Sequence, residues 1–258
     1  MRLGFVGTGA LTSAIVRGLK SLADEDFDII VSPRNPQMAS DLAARHKGVR
    51  VASDNQAVLD ESETVMLAVR PQIARDVLPA LRFRPDHHVV TLIAPLSLED
   101  IGALVAPATR ITKALPMPMV AERIAPTIIF PPDPAVTALF DRLGKAMAVE
   151  DAAEFNALSV ATATFATYFT LLDTLHNWLA QHGVGDKTAH DYTVTLFKAL
   201  AHAPDTLPGA SFVHLAQEYM TRGGLNEQVV RELSEQGVFN SFAESLDGIH
   251  RRIRSSQS

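Results

Sequence analysis

The chain has 258 residues, a formal net charge of −6, 47% hydrophobic residues and no cysteine. This length suits one large domain or two moderate ones, and the composition is typical of a soluble protein with a generous core. We expect no nucleic acid partner, because phosphate backbones are bound by clustered Lys and Arg and the chain has no basic tract. The absence of cysteine excludes disulfides, thiolate metal sites and cysteine nucleophiles, and it fits a cytoplasmic location.

The most apolar long stretch, residues 152–182, raises the question of a membrane span. Polar residues interrupt it at Asn156, Asp173, His176 and Asn177. A spanning helix needs about 20 consecutive apolar residues, so we predict that the protein does not cross a membrane. The N-terminus also lacks the cleavage-site pattern of a signal peptide.

Strand-like and helix-like patterns alternate through the first half of the chain. Buried-strand patterns lie at 3–6, 28–32, 49–52, 64–69 and 87–93. Helical patterns lie between them, at 10–22, 37–46 and 72–81. This alternation predicts a mainly parallel sheet with helices on both faces.

Proline-rich sequence at 110–132 separates this half from a second half dominated by helical patterns. The predicted helices there cover 154–182, 187–203, 209–220, 225–236 and 239–254. We therefore predict two domains, an α/β domain at 1–150 and an all-helical domain at 151–258.

The predicted helix at 154–182 is apolar on nearly every side. A helix without a polar face must be buried all round, and one small helical domain can hardly surround it. We therefore expect a second subunit to cover it. A central core helix within a monomer is the alternative.

A glycine-rich turn follows the first predicted strand. Gly7, Gly9 and Thr12 form the pattern G-x-G-x-x-T at the start of an amphipathic helix. In a βαβ unit the first glycine permits the tight turn, the second lets the backbone approach a pyrophosphate, and the helix N-terminus offers unpaired N–H groups. The pattern predicts a dinucleotide site, with a ligand-free turn as the alternative.

The end of the second predicted strand indicates which dinucleotide is bound. A carboxylate at this place hydrogen-bonds the ribose in NAD-specific proteins, but the chain has the letters SPRN. Ser32 and Asn35 offer neutral donors, and Arg34 offers a planar cation that suits a phosphate. We therefore predict NADP, although an ordinary solvated arginine would give the same letters.

The nine histidines do not have the spacing of metal ligands, and we predict no metal site. His87 and His88 are adjacent in a predicted strand and so point to opposite faces. Lys113 lies beside the proline-rich segment. We favour a surface lysine there over a contact with the cofactor or a substrate acid.

Several motifs resemble those of the pyrroline-5-carboxylate reductase family. They are, in order, GFVGTGALTSAI, SPRNP, DNQAV, VMLAVRPQ, KALPMP and TRGGLNEQ. The resemblance covers nearly the whole chain, and LAVRPQ is its most specific interior part. It implies an N-terminal Rossmann-type domain, a C-terminal helical dimerisation domain built around a long helix, and NADPH-dependent reduction of a cyclic imine to an amino acid.

The resemblance also implies the residues that contact the cofactor. These are Gly7, Thr8, Gly9, Ala10 and Leu11 at the pyrophosphate, Ser32, Arg34 and Asn35 at the 2′-phosphate, Asn55 near the adenosine ribose, and Ala68, Val69, Arg70 and Pro71 beside the nicotinamide half. Arg70 stands where the family usually has lysine.

The second half departs from the family pattern at the substrate motifs. The family's Met-Pro-Asn-Thr-Pro is shortened to LPMP, and Ser-Pro-Gly-Gly-Thr-Thr becomes TRGGLN. The resemblance implies a substrate site at Gly223, Gly224, Leu225 and Asn226, where backbone N–H groups bind a carboxylate and the Asn226 amide replaces a threonine hydroxyl. Glu227 is expected to cap the helix that follows.

Three functions stay open from the sequence. The first is reduction of 1-pyrroline-5-carboxylate to proline. The second is reduction of a related imine or carbonyl compound, with a different small acidic substrate. The absence of the family's two threonines favours it, because a substrate group left without its hydrogen bond weakens binding. The third is a non-catalytic NADP-binding sensor. A homodimer or a higher homo-oligomer is expected in each case.

Overall fold

The computed structural model describes residues 2–22, 27–207 and 209–255. The chain forms two compact units. The first comprises the described residues up to Ser159 together with 252–255, and the second comprises those of Val160–Arg251. The units divide later than residue 150, where we predicted the boundary, because Phe155 packs with Ile128 and Val149 of the first unit.

The described part of the first unit contains one eight-stranded sheet in the order β3-β2-β1-β4-β5-β6-β7-β8. Strands β1 to β6 are parallel, β7 is antiparallel to β6, and β8 is parallel to β7. The strands are β1 Arg2–Val6, β2 Asp28–Val31, β3 Val49–Val51, β4 Thr64–Leu67, β5 His88–Thr91, β6 Arg110–Leu115, β7 Ala125–Phe130 and β8 Gly144–Ala148. The predicted Rossmann-type, mainly parallel sheet is confirmed.

Helices follow the strands along the chain and cover both faces of the sheet. They are α1 Ala10–Lys20, α2 Pro36–Arg45, α3 Asn55–Asp60, α4 Pro71–Val77, α5 Leu98–Val105, α6 Pro134–Asp141 and α7 Ala152–Ala161, with short 3-10 helices at Leu78–Ala80 and Pro118–Ala121. Local sequence fixes several helix starts. Asn35, Asp54 and Ser97 each cap the helix that follows with a side-chain oxygen, and α2, α4 and α6 have proline in their first turn.

Each strand contributes alternate side chains to two cores. In β1, Leu3 and Phe5 belong to the cluster that includes Ile15 and Leu19 of α1, whereas Val6 belongs to the cluster on the other face. All of these side chains are fully buried. A parallel sheet covered on both faces needs such nearly continuous apolar strands, which explains why the strands were recognisable in the sequence.

Helices make up the second unit, as predicted. They are α8 Thr164–Gln181, α9 Asp186–Thr206, α10 Phe212–Glu218, α11 Leu225–Glu235 and α12 Val238–Ser255, with α7 and α12 extending across the unit boundary. The single helix predicted at 154–182 is wrong. It is interrupted at residues 162–163, where the Thr164 hydroxyl donates to the Ala161 carbonyl and Ala163 N–H to the Val160 carbonyl.

The alternative of a core helix within a monomer does not hold for α8, whereas cover by a second subunit stays a prediction. No residue of α8 is buried, and the exposed fractions are 65% for Phe169 and 53% for both Leu171 and Trp178. The stretch Ala152–Gln181 has the length and hydropathy of a possible membrane span, a test that core helices of soluble proteins also pass. The apolar side chains of α8 therefore lack cover within one chain.

Candidate functional site

The turn between β1 and α1 has the backbone geometry of an anion-binding loop. Gly7 has a φ of +106°, and a Cβ there would lie 2.5 Å from the carbonyl oxygen of Ala68, so only glycine fits. Gly9 is the N-cap of α1 and has open space around it. No side chain caps α1, and its first turn has no acidic residue. The first N–H groups of α1, at Ala10 and Leu11, are therefore available to a phosphate.

Buried hydroxyl groups hold this turn in place. The Ser32 hydroxyl accepts from Gly7 N–H at 2.9 Å, the Thr8 hydroxyl donates to the Ser32 carbonyl at 2.6 Å, and the Thr12 hydroxyl donates to the Gly7 carbonyl at 2.7 Å. Ser32 is fully buried. Its hydroxyl is thus engaged in supporting the turn, which corrects the expectation that it faces a 2′-phosphate. The 2′-phosphate contacts of Arg34 and Asn35 stay predictions.

A cleft of about 410 Å³ opens beside this turn, at the carboxyl ends of β1 and β4. Its lining residues are Gly7, Thr8, Gly9, Arg34, Asn35, Pro36, Ala68, Val69, Arg70 and Ile73. Strand order reverses between β1 and β4, and ligands of open α/β sheets bind at such switch points. The structure therefore gathers residues from three separate sequence motifs along one surface.

The remaining predicted cofactor residues support the cleft or lie outside its lining. Pro71 is the first residue of α4, where its fixed φ favours the helix start. Asn55 is the first residue of α3 and is half-buried. Sequence reasoning missed Pro36 and Ile73, which reach the cleft because they begin α2 and follow Pro71 in α4.

The charge of the cleft suits an anionic ligand. None of its lining residues is acidic. Arg34 is exposed directly after β2, and no carboxylate of the described residues lies within ion-pair distance of it. Asn35 uses its Oδ1 to accept from Met38 N–H at 3.4 Å, which leaves its amide N–H groups as donors. These residues fit a dinucleotide with its phosphates against this surface.

Lys113 is buried, with an exposed fraction of 4%, so the expectation of a surface lysine is wrong. Its Nζ donates to the carbonyl oxygens of Ala94 at 3.0 Å and Leu96 at 2.8 Å, and it lies 4.8 Å from the ring centre of Phe155. Burial lowers the pKa of the Lys113 ammonium to about 8, with Asp100 acting in the opposite direction. The neighbouring sequence does not indicate that Lys113 is buried, because the residues that surround it come from distant segments of the chain.

The predicted substrate turn lies in the second unit, at the start of α11. Gly223 has a φ of +74°, and a Cβ on Gly224 would lie 2.4 Å from the Thr221 hydroxyl, so both glycines are required by the turn. Gly223 N–H donates to Glu227 Oε2 at 2.6 Å, and Asn226 Nδ2 donates to the Tyr219 carbonyl at 2.9 Å. Donors that we assigned to a substrate therefore have partners within the chain, and their substrate contacts stay predictions.

The first part of the chain matches a described family of oxidoreductases. The model for NADP oxidoreductase, coenzyme F420-dependent, matches residues 2–95, which include β1 to β5 and all residues that line the cleft. This match supports a pyridine-nucleotide oxidoreductase fold.

Comparisons over the full length agree with the motifs. Pyrroline-5-carboxylate reductase of Methanosarcina acetivorans is 24% identical over 256 residues, covering 95% of this chain and 94% of that protein. The crystal structure of 1-pyrroline-5-carboxylate reductase from Streptococcus pyogenes has a TM-score of 0.86 at 19% identity, covering 99% and 98%. That of Plasmodium falciparum pyrroline carboxylate reductase with NADP bound has a TM-score of 0.84 at 13% identity, covering 100% and 98%. These comparisons agree with the resemblance to the pyrroline-5-carboxylate reductase family on which the sequence motifs were interpreted, and the solved structures share the fold of this chain.

Proposed function

We propose that this protein is an NADPH-dependent reductase acting on the C=N bond of a cyclic imine. Our first candidate reaction is the reduction of 1-pyrroline-5-carboxylate to proline. The observation that carries the proposal is the cleft at the β1–β4 switch point, which combines an uncapped helix N-terminus with the exposed cation of Arg34. Similarity to pyrroline-5-carboxylate reductases supports the reaction, and the solved structure with NADP bound supports the cofactor.

The residues of the cleft divide the work of cofactor binding. The backbone N–H groups of Ala10 and Leu11 bind the pyrophosphate, and Gly9 lets it approach. Arg34 and the Asn35 amide bind the 2′-phosphate. When bound, the cofactor supplies the hydride. Since a protonated imine is already electrophilic, the protein needs chiefly to orient the imine and exclude water.

The substrate turn favours a second candidate, a related imine or carbonyl reductase with a different small acidic substrate. Gly223 N–H is already occupied by the Glu227 carboxylate. A substrate carboxylate at the same place would lose that donor and be repelled by a like charge. A non-catalytic NADP-binding sensor is the third candidate, and absence of turnover with every imine tested would favour it.

We also propose a homodimer or higher homo-oligomer in which a second copy covers the exposed apolar side chains of α8. Contiguous exposed apolar surface of this kind marks interaction sites. We place the reaction in the cytoplasm, with a small acidic imine as the other partner and without a role for nucleic acid, membrane or metal.

The first test is a paired measurement on the purified protein. NADPH and NADH are titrated by fluorescence, and NADPH oxidation is then followed with 1-pyrroline-5-carboxylate. Tight NADPH binding with proline formation supports the first candidate. Binding without turnover rejects it and directs the search to other imines. If neither dinucleotide binds, the assignment of the cleft is wrong.

A further inference from the structure

Lys113 lies in the row of residues that forms the carboxyl edge of the sheet. The strand register pairs Val6 with Leu67, Leu67 with Thr91, and Thr91 with Lys113. These residues therefore form one row across β1, β4, β5 and β6. Gly7 follows Val6 and Ala68 follows Leu67, and both of these residues line the cleft. Lys113 is at the same height in the sheet as the cofactor site, two strands beyond β4.

The geometry of the cleft fixes the direction in which a dinucleotide extends. Arg34 follows β2, on one side of β1, and Ala68–Ile73 follow β4 on the other side. With the phosphorylated ribose at Arg34 and the pyrophosphate at α1, the nicotinamide half of a bound dinucleotide would extend past β4 toward β5. Neighbouring strands are about 4.8 Å apart, so the next segment it meets is the β5–α5 loop, residues 92–97.

This loop is the segment to which Lys113 is bound. Its Nζ donates to the carbonyl oxygens of Ala94 and Leu96, which uses two of its three N–H donors within one short loop. No carboxylate of the described chain lies within ion-pair distance of Lys113. Asp100 favours the charged form without forming an ion pair, burying a cation that has no ion-pair partner is unfavourable, and an apolar side chain of similar length would avoid this cost. The lysine therefore has a role that packing alone does not explain.

We propose that Lys113 is a positioning residue that fixes the β5–α5 loop, through the carbonyls of Ala94 and Leu96, against the nicotinamide end of the bound cofactor. This rests on the proposed function only for the identity of the dinucleotide. The adenine end is bound by other residues. Loss of Lys113 should therefore affect the two ends of the cofactor differently.

The test compares a whole cofactor with a fragment of it. NADPH spans the cleft and the loop, whereas adenosine 2′,5′-bisphosphate carries only the adenine end. In full-length Lys113→Met we expect NADPH affinity to fall about tenfold because the loop loses its anchor, with fragment affinity unchanged within about twofold. Lys113→Arg keeps N–H donors and should restore most of the NADPH affinity. Lys145→Met removes an exposed lysine of β8 and should match the wild type.

Hydrogen exchange of the wild-type protein supplies a measurement that needs no variant. NADPH should slow amide exchange in residues 92–97, and adenosine 2′,5′-bisphosphate should not. Equal loss of affinity for both ligands in Lys113→Met, or no loss for either, would overturn the proposal, as would absence of the exchange difference. A wild type that binds NADPH but reduces no imine removes the proposed reaction and leaves this role standing. A wild type that binds no NADPH removes both.

Discussion

The hydroxyl of Ser32 accepts a hydrogen bond from the backbone N–H of Gly7, and this 2.9 Å contact ties the end of β2 to the glycine turn after β1. Thr8 strengthens the link by donating to the Ser32 carbonyl at 2.6 Å. The residue just before the turn that carries Arg34 thus holds the phosphate-binding loop. Two regions that are far apart in sequence are coupled through one buried side chain.

Removal of this hydroxyl should lower both the stability of the fold and the affinity for each dinucleotide. Ser32→Ala leaves Gly7 N–H without its partner, so we expect a loss of about 1–3 kcal/mol in the free energy of unfolding. Affinities for NADPH and NADH should fall by similar factors, because the turn contacts a part that they share. Urea unfolding and fluorescence titration measure these effects. Ser53→Ala, at an exposed serine, is the control. A selective loss of NADPH affinity would show that Ser32 contacts the 2′-phosphate.

Arg34 should determine the preference for NADPH over NADH. Arg34→Gln removes a charge-assisted contact worth about 1.5–3 kcal/mol, so NADPH affinity should fall roughly tenfold to a hundredfold while NADH affinity stays constant. Arg70→Gln is the matched control, since Arg70 lines the same cleft at the end that lacks the 2′-phosphate. It should weaken both cofactors alike or neither. An unchanged NADPH to NADH ratio in Arg34→Gln would contradict the NADP assignment.

Substitution of Gly7 should mainly lower stability, whereas substitution of Gly9 should mainly lower cofactor affinity. Gly7→Ala places a Cβ 2.5 Å from the Ala68 carbonyl at a φ of +106°, so we expect about 2–4 kcal/mol of destabilisation. Gly9→Ala meets no atom within 4 Å and should change the stability by less than about 1 kcal/mol. It should nevertheless lose NADPH binding, because its methyl group faces the approaching pyrophosphate. Thermal unfolding with and without NADPH distinguishes the two effects.

Glu227 should limit the use of substrates that carry a carboxylate. Glu227→Gln removes the negative charge and retains an oxygen that accepts from Gly223 N–H. If the turn binds the imine, kcat/KM should rise for 1-pyrroline-5-carboxylate relative to 1-pyrroline, which lacks the acid. Glu235→Gln, at the last residue of the same helix, is the control. An equal change for both imines would separate Glu227 from carboxylate recognition.

The buried Lys113 should make stability depend on pH in the alkaline range. Below its folded-state pKa of about 8 the lysine is charged in both folded and unfolded chains, and burial is most unfavourable. Between about 8 and 10.5 the unfolded chain keeps the proton that the folded chain has released, so the contribution of Lys113 to the free energy of unfolding rises with pH. We expect the wild type to gain about 1–3 kcal/mol relative to Lys113→Met over this range. Urea unfolding of both proteins at the two ends of this pH range measures the difference in their free energies of unfolding. A difference that does not change with pH would refute the prediction.

Features encoded within short segments could be predicted from the sequence. The strands of the first unit are nearly continuous apolar runs because both faces of the sheet are covered, and the turn at Gly7 and Gly9 has a recognisable pattern between a strand and a helix. The acidic residue Glu227 was expected at the start of α11 for the same reason, and its partner Gly223 is only four residues away, although no side chain caps this helix. Local chemistry decides each of these features.

Features that depend on distant segments could not be predicted. Lys113 was expected at the surface, but Ala94, Leu96 and Phe155 enclose it, and only the folded sheet brings them together. The hydroxyl of Ser32 was assigned to a ligand because the sequence does not show that Gly7 N–H faces it. The break between α7 and α8 has no proline or glycine to mark it in the sequence. The Thr164 hydroxyl donates to the Ala161 carbonyl at this break.

The close approach of Gly7 to Ala68 means that this part of the cleft is built from main-chain atoms. Main-chain groups are the same whatever side chains replace their neighbours, so sequence drift leaves their binding properties intact as long as position 7 stays glycine. Substitutions alter the binding properties of the cleft at its rim instead, where the side chains of Arg34, Arg70 and Ile73 line it. Cofactor preference in this lineage is therefore free to evolve, or to be redesigned, at the rim without rebuilding the phosphate site.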